Sequence, residues 1–201
     1  MTQYARPVTG GTNPEHQTPD DDETGFWDGW LREDGSTWQN IYVSIDESST
    51  NDSDYIKQSN SGNTLSWYEA KLGTVTDPVT ALSDHKLKYR AVGYDSQMMG
   101  TPTLTVALYE GESLIKAHVN TSLEDESMMG MGTWADFTVS LSSGGSGEAA
   151  AIGDYSDLHI WFKMTSSNMG DYVKVSQAWF ECADAPAAAA ATSPAFLLFM
   201  E

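Results

Sequence analysis

Cysteine, positive charge and long apolar runs are what this chain has least of. One cysteine, Cys182, among 201 residues excludes an internal disulfide and a cysteine-cluster metal site, so stability falls to packing or assembly. Ten Lys and Arg stand against 29 Asp and Glu, a formal charge of −19. Affinity for nucleic acid comes from positive side chains neutralising phosphates, so DNA and RNA are disfavoured as partners. No apolar stretch reaches the ~18–20 residues of a membrane span. The longest, Ala187–Met200, is broken by Thr192, Ser193 and Pro194. The opening MTQYARPVTGG lacks the apolar centre of a secretory leader, so no membrane partner is expected. The four histidines, His16, His85, His118 and His159, fall in no metal-ligand spacing. Neither a G-x-S-x-G elbow nor a phosphate-binding glycine loop occurs, and residues 142–147, SSGGSG, read as a flexible connection. No cofactor, metal or catalytic residue is expected.

What is present is enough apolar side chain, 40% with 11% aromatic, for one core of ordinary size plus tails. Residues 1–38, with Pro7, Pro14, Pro19 and the acidic run Asp20–Glu23, read as an N-terminal arm. Residues 39–182 alternate apolar and polar positions in short stretches, the period of half-buried strands. Ile41, Val43 and Ile45 share one face, as do Leu87, Tyr89 and Ala91, and Leu104, Val106 and Leu108. Phe137, Val139 and Leu141, then Leu158, Ile160 and Phe162, then Val173, Val175 and Trp179 continue the pattern. Glu110-Gly111-Glu112 reads as a tight turn whose return strand is SLIKAHV. About eight strands without an amphipathic helix predict an all-β fold, an antiparallel β-sandwich of jelly-roll type. A single helical turn is expected in Ser146–Tyr155. Residues 183–201 form an Ala/Pro-rich tail ending in Phe196-Leu197-Leu198-Phe199-Met200.

Carboxylates cluster at Asp20–Glu23, Asp46-Glu47, Asp52/Asp54 and Glu124–Glu126. These read chiefly as solvated turns, with a Ca²⁺ loop over Asp46–Asp54 as the sharper alternative and paired glycosidase acids as another. Methionines gather at Met98-Met99 and at Met128, Met129 and Met131, able to mould to a partner or to pack locally. Trp67, Trp134, Trp161 and Trp179 fit either a core or a sugar-stacking platform. Phe26, Trp27 and Trp30 concentrate apolar surface that something should cover.

Several phrases together carry a resemblance: Ala5-Arg6-Pro7-Val8, Gly29-Trp30, Tyr42–Glu47, Asp54-Tyr55-Ile56, Thr76-Asp77-Pro78, His85 to Ala91, Leu104 to Leu108, Asp154–Leu158 and Ala178–Glu181. Over residues 1–8 and 29–182 the chain resembles small β-sandwich structural proteins of tailed bacteriophages. That resemblance implies a noncatalytic virion component, such as a capsid decoration (cement) protein or a head- or tail-fibre subunit, of which a decoration subunit at the particle surface is the expectation. The partners expected are the major capsid protein or other virion proteins and further copies of itself, a homotrimer being the assembly that symmetry at local three-fold positions of a lattice would suit. The docking residues would be Arg6, Pro7, Phe26, Trp27, Trp30, Phe196, Leu197, Leu198 and Phe199. The alternative is a head- or tail-fibre module that binds carbohydrate or a receptor through its tryptophans.

Overall fold

In a computed structural model of the chain, residues 1–10, 29–33, 41–60, 67–97, 102–124, 133–142 and 149–185 are described. They form two antiparallel sheets, a β-sandwich of jelly-roll type. The strands are β1 (Thr2–Ala5), β2 (Pro7–Gly10), β3 (Leu31–Arg32), β4 (Ile56–Ser59), β5 (Tyr68–Leu72), β6 (His85–Tyr94), β7 (Thr103–Glu110), β8 (Ser113–Asn120), β9 (Ala135–Leu141), β10 (Leu158–Thr165) and β11 (Tyr172–Ala183). One sheet runs β3-β4-β11-β6-β9, with β1 also paired to β11; the other runs β2-β5-β10-β7-β8.

Period-2 alternation explains the core. Leu87, Tyr89 and Ala91 from β6, Leu104, Val106 and Leu108 from β7, and Leu158, Ile160 and Phe162 from β10 are all buried between the sheets, because successive side chains of a strand point to opposite faces. The expected turn at Glu110–Glu112 joins β7 to β8 in register from Glu110↔Ser113. Gly111 takes a left-handed φ of 53° there, a conformation that costs other residues a Cβ clash.

Three stretches differ from expectation. Ile41–Ser44 is a 3-10 turn rather than a strand, with Ile41, Ser44 and Ile45 buried; the tight turn closes through Ile45 N–H to the Tyr42 carbonyl at 3.0 Å. Residues 149–155 contain no helix. Their path is fixed instead by the Glu110 carboxylate, which accepts from the Gly153 and Asp154 amides at 2.7 and 2.9 Å. Residues 1–10 are not a free arm: β1 adds to β11 and β2 to β5, so the chain crosses from one sheet to the other at Arg6.

That crossing bears on the docking residues. Pro7 is buried at the start of β2, a position where its missing N–H does no harm at a sheet edge. Trp30 is fully buried, with ring centroids 6.3 Å from Tyr68 and 6.0 Å from Phe162. Both residues thus face the chain's own core instead of a neighbouring molecule. Phe26, Trp27, Phe196, Leu197, Leu198 and Phe199, with the methionine clusters, lie outside the described residues.

Candidate functional site

The site begins with an irregularity in β11. Val175 pairs with Ala91 and Gln177 with Arg90, so Ser176 is an extra residue, a β-bulge. A bulge inserts one residue and reverses which side chains face inward beyond it. Val173 and Val175 therefore point into the core before it, and Ala178, Phe180 and Cys182 after it. Trp179, placed by simple alternation with Val173 and Val175, is turned to the outer face. The signal was in the sequence: apolar residues shift from odd positions, 173 and 175, to even ones, 178, 180 and 182.

Outside, Trp179 lines a groove of about 300 Å³ with Arg6, Ser48–Thr50, Lys88, Asp136, Phe137, Thr138 and Gln177. Two cations lie near its ring, the Arg6 guanidinium carbon at 5.4 Å and the Lys88 Nζ at 6.0 Å from the ring centroid, within cation–π range. Lys88 is also ion-paired to Glu181 at 2.6 Å. Its neighbour Lys86 reaches the same carboxylate at 3.3 Å; these lysines hold the Glu181 carboxyl below its ordinary pKa against the opposing effect of burial.

One wall of the groove is the 46–54 loop, and its anchors converge on the bulge. Arg90 grips Asp52 with two parallel bonds, Nε to Oδ1 at 2.7 Å and Nη2 to Oδ2 at 2.8 Å, the fork geometry that makes Arg–carboxylate pairs strong. Its Nη1 donates to Asp136 at 3.1 Å. The Ser176 hydroxyl donates to Asp52 at 3.3 Å. Further along, the Glu47 carbonyl accepts from Arg6 Nη1 at 2.8 Å and from Gln177 Nε2 at 3.3 Å. Sequence reading missed Arg90, Ser176 and Gln177, because a residue that braces a loop carries no local motif.

The same loop was the candidate Ca²⁺ ligand set. Asp52 is committed to Arg90, and among the described residues no group of three or more His, Cys, Asp or Glu is placed to hold a metal. Burial raises the pKa of both Asp46 and Glu47 in this loop; for Glu47, burial first, then a hydrogen bond and repulsion from Asp54, push it up to about 7.

The four tryptophans weighed as a sugar platform do not share a face. Trp134 packs on Tyr55 at 5.9 Å, whose ring meets Lys174 of β11 at 4.8 Å, and so belongs to the Trp179 side. Trp67 and Trp161 lie on the other sheet, where Trp161 is buried and stacks on Tyr109 at 3.7 Å and 17°. Those rings are spent largely on one another. Beside them His159 sits between Glu69 at 2.5 Å and Asp157 at 3.3 Å, and Lys71 closes on Asp157 at 2.9 Å. The Glu69 hydrogen bond outweighs burial and raises the His159 pKa. His159 is on the outer strand face but buried there in an ion pair. His85 instead packs inside, its Nε2 2.6 Å from the Tyr155 hydroxyl.

No protein-family model matches the chain, and no curated protein matches it. Solved structures match in outline. The CBM36-1 domain of a multidomain xylanase from the hindgut metagenome of Trinervitermes trinervoides is 9% identical with a TM-score of 0.38, over 93% of this chain and 100% of that one. TmCBM61, solved with β-1,4-galactotriose, is 6% identical with a TM-score of 0.37, over 84% and 98%. The K1 adhesin domain of Lys-gingipain from Porphyromonas gingivalis is 15% identical with a TM-score of 0.39, over 92% and 99%. Likenesses this distant say nothing of what this chain binds.

Proposed function

We propose that this chain is a noncatalytic binding module that takes carbohydrate in the Trp179 groove. One observation carries the proposal: a bulge turns an indole out of the sandwich onto the floor of a groove lined by hydroxyls, an amide and charged groups. That combination suits a sugar. Pyranose rings present C–H faces that pack on indole, while their hydroxyls need nearby donors and acceptors. Thr138, Ser48, Ser49, Thr50, Gln177 and Asp136 supply these. The groove floor is strand, and its loop wall is braced by Arg90, so the geometry exists before a ligand arrives. Preorganisation of that kind lowers the entropic cost of binding.

Attachment to a virion as a decoration subunit would need the apolar ends to face outward, and of these Pro7 and Trp30 face inward. The glycan reading is therefore preferred. It is tested by a glycan array followed by calorimetry on hits. Trp179→Ala should lower affinity at least ~10-fold, the order expected when one stacked aromatic worth about 1.5 kcal/mol is removed, with thermal stability nearly unchanged. Hits whose affinity is indifferent to Trp179 would refute the site.

A further inference from the structure

The positive charge of this acidic protein is unevenly placed. Of its ten Lys and Arg, six are on the outer side of the β11 sheet. Arg6 and Lys88 line the groove, Lys86 joins Glu181, Arg90 grips Asp52 and Asp136, and Lys57 and Lys174 lie over the Tyr172 ring. The groove itself holds two cations, Arg6 and Lys88, against one carboxylate, Asp136. These three are not equivalent. Lys88 is neutralised by Glu181 at 2.6 Å and Asp136 by Arg90 at 3.1 Å. Among the described residues Arg6 makes no ion pair; its Nη1 spends one N–H on the Glu47 backbone carbonyl, out of five that a guanidinium carries. Asp46 acts on Arg6 only through longer-range attraction, so among the described residues this cation beside the Trp179 ring has no carboxylate bonded to it, in a molecule with nearly three acids for each base.

We infer that the groove takes a uronic-acid glycan, with a sugar ring on Trp179 and the sugar carboxylate on the Arg6 guanidinium. The inference rests on the glycan reading above and adds the class of sugar. Arginine suits the role because its planar fork meets both oxygens of a carboxylate. The fixed partner on the Glu47 carbonyl holds that fork in place. The protein's negative field repels polyanions at long range, so recognition depends on this local contact, and the preference should be strongest for short oligomers.

The experiment is calorimetric titration of the full chain with oligosaccharides of galacturonate, mannuronate and glucuronate-substituted xylan. Each is run beside its methyl-esterified or carboxyl-reduced counterpart. At least one acidic member should bind ~10-fold or more tighter than its neutral twin, as one charge-assisted contact of about 1.5 kcal/mol provides. That ratio should fall toward one in Arg6→Gln, survive in part in Arg6→Lys, and shrink in the unaltered protein as salt screens the contact. The salt series keeps the test valid if Arg6→Gln folds poorly. Equal binding of acidic and neutral twins, or binding of neutral glycans alone, overturns the uronate inference and leaves the glycan site standing. Failure of every glycan, neutral and acidic, overturns both.

Discussion

Two titratable groups, one half-buried and one buried, set how single residues respond to pH. Glu47 has its folded-state pKa raised to about 7 from an ordinary 4.5, so the folded protein holds this proton more tightly than the unfolded chain. Its contribution to stability is whole below about 4.5 and is lost as pH rises through about 7. Urea denaturation across that window should show a decline that Glu47→Gln flattens. His159, raised above 6.5 by Glu69, acts in the same direction: its contribution is full below 6.5 and fades as pH climbs through the higher folded value. Its ring proton signals should titrate above 6.5, and below that position in Glu69→Gln. Because both partners are almost wholly buried, His159→Ala strands the Glu69 carboxylate and should cost about 3–5 kcal/mol, read as a shifted denaturation midpoint.

At the scale of elements, β11 links core and groove, since one strand supplies Phe180 to the inside and Trp179 to the outside. Bracing of the 46–54 loop is the function of Arg90, and Arg90→Met should weaken glycan binding through a loosened wall. Faster amide exchange at residues 48–54 would accompany it, whereas a purely local defect would leave those amides unchanged. The strands themselves were legible in sequence wherever alternation ran unbroken, as in β6, β7 and β10. Legibility failed where a single residue changed the phase or where long-range partners decided the path. Ser176 reversed the faces of β11. The 3-10 turn at Ile41–Ser44 mimicked a strand because its apolar residues are equally well placed for one turn. Thr2–Gly10 looked like an arm because pairing with β11 and β5, sixty or more residues away, leaves no trace in local composition.

For the whole molecule, the sandwich is a rigid frame whose two outer faces differ. One gathers cations around an open groove. The other closes its aromatic and ionic groups on themselves, Tyr109 on Trp161 and His159 on Glu69. Binding on the first face should therefore leave the second unperturbed. The most direct measurement is a two-dimensional ¹H–¹⁵N spectrum of the full chain titrated with a glycan hit, following the indole N–H signals of its seven tryptophans. The account predicts that the Trp179 indole and the amides of Gln177 and residues 48–50 shift together and saturate together, while Trp161 and Trp30 stay still. Saturable shifts centred on Trp67 and Trp161, with Trp179 unmoved, would contradict it.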